Sequence, residues 1–430
     1  MICDNIGKNE QGHLTFAGRD TVALAEKYGT PLYLMDEEKI REKVRVYKNA
    51  MSKYLPDGSE PEFASKAFSC RAIYRIMKQE KMNVDVVSKG EIFTAFSASF
   101  PMENVFFHGN NKTDDDIAFA MEKGVGCFVV DGMEELYAID NEAKRRGITQ
   151  KILLRITPGI DPHTHKKIST GSVESKFGIP IGSDAFFATS EALKLQNVEL
   201  KGFHCHVGSQ IFECEPFLNA CDIMFKFLYD VKNEFGFEAK VLNLGGGFGV
   251  RYTAEDPIID LEQKIAEVGE KVKECCEKYE LTPPSIMMEP GRSIVADAGI
   301  TLYSVGSVKE INGYQNYVSI DGGMTDNPRY TLYESPYTVA LASRINDECD
   351  FTATIAGRCC ESGDLIQENV KLPRPKRNEI LAVLTTGAYN YSMASNYNRV
   401  PRPPVIMLAK DSEYTAVRRE TLEDICALDE

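Results

Sequence analysis

From residue 62 onward, the 430-residue chain alternates between short apolar runs and longer segments whose apolar residues recur at helical spacing. The apolar runs fall at 62–67, 84–88, 105–109, 128–131, 152–157, 200–207, 241–245 and 286–289, and their length and content are those of buried strands. Between the early ones lie single amphipathic segments at 70–79, 91–98, 113–123 and 133–146, each long enough for one helix. Strand and helix alternating in this way predict parallel strands joined by right-handed crossovers. Eight such units in about 230 residues fit a (β/α)8 barrel, whose usual size is about 250 residues. A doubly wound sheet satisfies the same periodicity and stands as the structural alternative.

Before this region come a strand-like piece at 13–17, a helix-like piece at 21–27, an apolar strand at 31–36 and a long amphipathic helix reaching about residue 54. After Arg292 the rhythm changes to short β-rich runs at 301–310, 317–321, 351–356, 380–384 and 405–408, punctuated by Gly, Pro and Asp. The expected organisation is a barrel over 31–290 and a second, mostly β domain (barrel or sandwich) built from 291–430 with strands added by 1–30. The polar, glycine-punctuated stretch 158–180 reads equally as a lid over a site and as a surface excursion.

Composition narrows the class. Hydrophobic content of 43% and charged content of 26% are those of a globular protein, and no apolar run approaches the ~20 residues that span a bilayer. The first residues lack the basic-then-apolar order of a secretory signal. Twelve cysteines with no C-x-x-C pair suggest free thiols in the cytoplasm and argue against structural zinc. With 49 basic and 64 acidic residues the net charge is −15, which disfavours nucleic acid as a partner while leaving room for a small anionic ligand held by local donors.

In a barrel the carboxyl ends of the strands form the active site, and the unusual residues gather there: Lys66, Asp85, Ser88, His108, Arg155, His206, Gly245-Gly246-Gly247 and Glu289-Pro290-Gly291-Arg292. Lys66 sits in Glu62-Phe-Ala-Ser-Lys-Ala67, where burial is expected to lower its pKa and make the amine reactive. By itself such a lysine more often reaches solvent. His204 and His206 read as packed core residues or as a metal pair, with no third ligand indicated and no metal expected. Gly245-Gly-Gly-Phe-Gly249 after an apolar strand lets backbone N–H groups close around a phosphate. It is neither a Walker loop nor a dinucleotide fingerprint. A phosphate cup, a strand-end lysine and a carboxylate (Glu289) for a ring nitrogen together point to pyridoxal phosphate.

The longest distinctive stretches are Phe203-His-Cys-His-Val-Gly-Ser-Gln210, Glu289-Pro-Gly-Arg292, Asp321-Gly-Gly-Met-Thr-Asp-Asn-Pro-Arg329, Cys359-Cys-Glu-Ser-Gly-Asp364 and Gly387-Ala-Tyr-Asn-Tyr-Ser-Met-Ala-Ser-Asn-Tyr-Asn398. With these in this order, nearly end to end, the chain resembles the diaminopimelate decarboxylase family, group IV (fold type III) of the pyridoxal-phosphate decarboxylases. The resemblance implies decarboxylation of meso-2,6-diaminopimelate to L-lysine. It implies that Lys66 carries the cofactor, with His206 stacked on its ring, Glu289 at its nitrogen, and Asp85 and Glu91 nearby. Ser209, Gly245, Gly246, Gly247 and the Pro290-Gly291-Arg292 turn would hold the phosphate, joined by Tyr389. For the substrate it implies Arg292, Arg329, Tyr333, Glu361 and Tyr389, with Cys360 as the proton donor. In the family Cys360 and Glu361 come from the partner chain, so the resemblance implies a homodimer with shared sites. Read without the family, Cys360 is as readily a small buried thiol.

Two arginines suit a distal carboxylate, and Glu361 suits a distal ammonium, so a substrate with two amino-acid ends is favoured over a simple diamine precursor. A decarboxylase of D-lysine, D-ornithine or carboxynorspermidine would share most of these stretches. A non-catalytic pyridoxal-phosphate carrier would be a small single barrel without the domain that carries Cys360. The chain departs from the family at Lys89, Arg251 and Tyr252, at the expected rim of the site.

Overall fold

The computed structural model describes residues 2–160 and 175–430. Most of the 158–180 stretch, read as lid or excursion, therefore lies outside the described residues. The chain divides into two compact units, one of Lys43–Gly249 with Ile259–Gly291, the other of the residues up to Glu42 with Val250–Ile258 and Arg292–Glu430.

The first unit is a closed barrel of eight parallel strands: β1 (Glu60–Ala64), β2 (Asn83–Val86), β3 (Val105–Phe107), β4 (Cys127–Val130), β5 (Gln150–Thr157), β6 (Val198–His204), β7 (Val241–Asn243) and β8 (Ser285–Met288). Each strand pairs with the next, and β8 pairs with β1 through Met287↔Glu60 and Met288↔Pro61, closing the ring. The closed barrel, rather than the doubly wound alternative, is what forms. Its strands read as largely apolar runs because helices cover the outer face while the inner face fills the core. Phe63, Val84, Phe128, Leu153, Phe203 and Leu242 are all shielded from solvent; each such side chain contributes about 1.5–3 kcal/mol.

The helices between the strands carry their own stop and start signals. In Asp114–Lys123 the Thr113 side chain accepts from Asp116 N while Asp116 bonds back to the cap, three acidic residues face the positive end, and Gly124 closes the helix at φ 77°.

Register puts the polar strand residues in one layer. Ala64 lies beside Asp85, Arg155 beside His204, and His204 beside Asn243. The strands end earlier than expected: β1 stops at Ala64, β6 at His204 and β7 at Asn243, so Lys66, His206 and the glycine run occupy the loops just beyond them. Lys66 lies on a single 3-10 turn, Ser65–Ala67.

The second unit contains a nine-stranded sheet. Its path runs Leu365–Leu372, Phe351–Ala356, Asn316–Ile320, Gly299–Glu310, Leu32–Asp36, Val405–Leu408, Glu413–Val417. Leu32–Asp36 is antiparallel to Gly299–Leu302 and parallel to Val405–Leu408. The barrel therefore does not begin at residue 31. That strand, and residues 250–258, belong to the second unit. Leu14 and Phe16 pack with Leu32, Leu34, Ile300 and Leu302 in its core.

Within this unit a buried carboxylate organises the loop that leads into Arg329. Asp326 Oδ2 accepts from Tyr303 Oη at 2.5 Å and its Oδ1 accepts from Gly323 N at 3.0 Å, while Tyr33 donates to the Asp326 carbonyl. Burial pushes the Asp326 carboxyl up to about 7. The folded chain thus keeps a proton that the unfolded chain releases above about pH 4. Its contribution to stability is complete at low pH and is lost as pH rises through about 4 to 7, at up to about 1.4 kcal/mol per pH unit. Asp326→Asn is expected to remove that slope, measured as the difference between variant and wild type in urea unfolding across this range.

Candidate active site

At the carboxyl ends of the barrel strands, Lys66, His108, Arg155, Phe177, His206 and Glu289 line a cavity of about 360 Å³. Lys66 is exposed at this cavity, which corrects the expectation of a lysine shielded by its strand. The strand ends at Ala64 and the turn Ser65–Ala67 leaves the Lys66 side chain open at the cavity. Its neighbours are charged or polar: the Lys66 ammonium acts on Asp85, Glu91 and His206.

Asp85 is buried, and its Oδ1 accepts from Ser65 N at 3.2 Å, tying β2 to the lysine turn. Burial raises its carboxyl well above the usual range. Glu91 accepts from Val87 N at 2.7 Å, and Ser88 caps the same helix by accepting from Glu91 N at 3.2 Å.

Glu289 follows β8 and is almost fully enclosed. Its Oε1 lies 2.7 Å from His204 Nε2 and 3.6 Å from His108 Nε2, and the two imidazoles meet edge to face at 5.1 Å. Burial lowers the pKa of His108, His204 and His206. For Glu289, burial opposes ionisation, but the imidazoles of His204 and then His108 outweigh it and hold the carboxyl well below its usual value. None of these three contacting atoms sits in a hydrogen bond of good geometry, so the approach is electrostatic. His204 thus pairs with His108 and Glu289, not with His206 as a metal pair. The three ligand atoms fall within 4.8 Å of one another, a spacing that could hold a metal ion, but Arg155 and Lys66 put positive charge on the same cluster and oppose a cation.

His206 is oriented by the glycine run: Gly246 N donates to His206 Nδ1 at 3.1 Å. The run itself is held from within the barrel. Asn243 Oδ1 accepts from Gly245 N at 2.8 Å, and Asn243 donates to the buried Glu62 carboxyl. Ile211 N donates to Gly247 O at 2.9 Å, which fastens the loop carrying Ser209 alongside. Only glycine fits here. A Cβ would stand 2.1 Å from Glu289 O at Gly246, and 2.6 Å from Cys205 O at Gly245, where φ is 71°. Gly246→Ala is expected to cost about 1–3 kcal/mol, since the clash is with backbone, and to abolish cofactor uptake; thermal melting and a spectrophotometric cofactor titration measure the two effects. Pro290 O accepts from Ala64 N at 3.1 Å, and a Cβ at Gly291 would meet that of Ala64 at 2.8 Å. The turn after β8 therefore packs directly on the lysine strand.

A second cluster belongs to the other unit. Arg292 donates to Tyr252 Oη at 2.7 Å and its guanidinium lies 4.7 Å from the Tyr389 ring. Arg329 donates to Tyr337 Oη at 2.9 Å and stacks 4.4 Å from the Tyr252 ring. Tyr333 follows Arg329 on the short helix Arg329–Tyr333. Cys360 and Glu361 are exposed on the turn between Phe351–Ala356 and Leu365–Leu372, which corrects the reading of Cys360 as a buried thiol. Asp364 shapes that turn by accepting from Met324 N at 2.6 Å and Cys359 N at 2.7 Å, and Asn398 accepts from Cys360 N at 2.8 Å.

Four residues that hold these groups in place do not stand out as site residues in the sequence: Tyr252 beyond the rim, Tyr337, Asn243 and Glu62. For the last two a signal existed: each is a polar residue inside an apolar strand.

A cavity-lining amine, an enclosed carboxylate and a cradle that only glycine can form fit pyridoxal phosphate. The comparisons agree. The family described as "Pyridoxal-dependent decarboxylase, pyridoxal binding domain" matches residues 37–296. The diaminopimelate decarboxylase of Bacillus subtilis (strain 168) is 45% identical over 98% of this chain and 96% of its own length. That of Staphylococcus aureus (strain COL) is 41% identical over 97% of each. Among solved structures, diaminopimelate decarboxylase from M. jannaschii in complex with L-lysine superposes with a TM-score of 0.92 at 34% identity, covering 100% of this chain and 98% of that one. The enzyme from Helicobacter pylori complexed with L-lysine gives 0.87 at 30% identity, covering 95% and 99%. The relatives match both units nearly end to end, and not the barrel alone: the chain belongs to the diaminopimelate decarboxylases, a family of pyridoxal-dependent carboxy-lyases.

Proposed function

We propose that this chain decarboxylates meso-2,6-diaminopimelate to L-lysine and CO2, the last step of lysine biosynthesis, in the cytoplasm and as a homodimer. The observation that carries the reading is the convergence of Lys66, His206 and Glu289 on one cavity beside the glycine cradle.

When bound, pyridoxal phosphate supplies an electron sink for the pair left behind as the carboxyl group departs. The chain's own residues do the rest. Lys66, at the cavity beside His206 and Glu289, would hold the cofactor through its amine Nζ. Gly245, Gly246, Gly247, Ser209 and the Pro290-Gly291-Arg292 turn bind phosphate through backbone and side-chain donors. Glu289 keeps a negative charge where a protonated ring nitrogen is to be stabilised, supported by His204 and His108. His206, fixed through Nδ1 by Gly246 N, would pack against the cofactor ring. Asp85 and Glu91, whose carboxyls burial raises, have their charged forms favoured by the Lys66 ammonium.

Arg292 and Arg329 bind the distal carboxylate with Tyr333 and Tyr389 at hand, and Glu361 binds the distal ammonium. Cys360 Sγ delivers a proton to the carbon that has lost CO2. In the dimer these last two are the partner subunit's Cys360 and the partner subunit's Glu361; their exposure on a well-braced turn supports donation to a neighbour.

Purified protein with pyridoxal phosphate should release CO2 and form L-lysine from meso-2,6-diaminopimelate, with little turnover of D-lysine, D-ornithine or carboxynorspermidine. Preference for any of these three would replace the substrate; no CO2 from any of the four would leave a cofactor carrier.

A further inference from the structure

In the arginine–tyrosine cluster Tyr252 touches both guanidinium groups. Tyr252 Oη accepts from Arg292 Nη1 at 2.7 Å, and the Tyr252 ring lies 4.4 Å from the Arg329 guanidinium. We infer that Tyr252 is a positioning residue that couples Arg292 to Arg329 and sets the affinity of the pair for a carboxylate. The inference deepens the proposed function and rests on its assignment of the two arginines to the distal end of the substrate.

Both arginines are buried, at 8% and 4% exposure, so their charges are poorly screened and repel one another. Something must hold them in register, and a carboxylate would do so only by neutralising the charge that an anionic ligand needs. Tyrosine solves both problems. Its oxygen gives Arg292 an acceptor and its ring face gives Arg329 an electron-rich surface, while the net charge of the cluster stays positive. Among the described residues Arg329 makes no ion pair with a carboxylate. Its hydrogen bond goes instead to Tyr337 Oη at 2.9 Å, itself held by Asn390 Nδ2 at 3.1 Å.

The bridging ring is locked. Tyr252 O accepts from Thr338 N at 3.2 Å and Thr338 Oγ1 at 2.8 Å, Tyr252 N donates to Asp256 at 2.9 Å, and the ring meets that of Tyr337 at 87° with centroids 5.5 Å apart. With backbone and ring fixed, the two planar donor forks keep one relative orientation, which is what bidentate recognition of a carboxylate requires.

Tyr252→Phe removes the acceptor and keeps the ring; Tyr252→Leu removes both. On the holoenzyme the Phe variant is expected to raise KM for meso-2,6-diaminopimelate about tenfold, the loss of one charge-assisted hydrogen bond, with kcat within about twofold. Competitive inhibition by L-lysine, which keeps a carboxylate, should weaken by the same factor, and inhibition by cadaverine, which has none, should not change. The Leu variant should weaken L-lysine further and again spare cadaverine. Both inhibitors are measured on one preparation, so a partly unfolded sample alters neither constant. Unchanged KM and L-lysine inhibition in both variants would overturn the inference, as would an equal loss for cadaverine. Wild-type enzyme that binds cadaverine as tightly as L-lysine would instead overturn the assignment of the arginines, and the inference with it.

Discussion

Replacing Lys66 by alanine is expected to abolish the long-wavelength absorbance of the bound cofactor and to lower turnover by about 10³-fold or more, the scale of losing a covalent catalytic group. The expectation follows from position. The turn Ser65–Ala67 directs Lys66 into the cavity shared with His206 and Glu289, and the Ser65 amide is pinned to Asp85. Lys66→Arg separates charge from chemistry, since arginine keeps the cation but stays protonated and forms no such link. It should be as inactive as the alanine variant. Loss of absorbance with the fold intact by circular dichroism is the expected outcome in both. A full absorbance band in Lys66→Ala would assign the covalent link to another amine.

Cys360→Ala is expected to keep that absorbance and lose about 10²–10⁴ in turnover, the range for a positioned general acid. The residue is exposed on a turn whose backbone is fixed by Asp364 and Asn398, so the substitution removes a thiol without disturbing its frame. The same exposure motivates a complementation experiment. Lys66→Ala and Cys360→Ala chains, each inactive, should together recover about a quarter of wild-type activity, because half of the random dimers are hybrids and half the sites in each are intact. Verified hybrids with no recovered activity would show that each site uses its own chain's Cys360.

The barrel was legible in the sequence because a strand buried on both faces announces itself as an apolar run, and because the strands recur with one helix between the early ones. The same rule misplaced Leu32–Asp36. It is as buried as any barrel strand, and burial says nothing about which sheet it joins. Leu365–Leu372 went unrecognised for the opposite reason: one face is open, and Gln, Glu, Asn and Lys interrupt its hydrophobic pattern.

At the site, the expectation of a cofactor rests on residue types that are rare in their context, the glycine run and Glu289. Residue type failed for the exposure of Lys66, which depends on β1 ending two residues before the lysine. It also gave no hint of the His108–His204–Glu289 contact, because strands distant in sequence supply the three side chains and only closure of the barrel brings them together.

The central claim is that the amine of Lys66 carries the cofactor. Borohydride reduction of the holoenzyme, followed by proteolysis and mass spectrometry, tests it directly. The account predicts a single pyridoxyl adduct, on the peptide containing Lys66. An adduct on a different lysine, with Lys66 recovered unmodified, would contradict it.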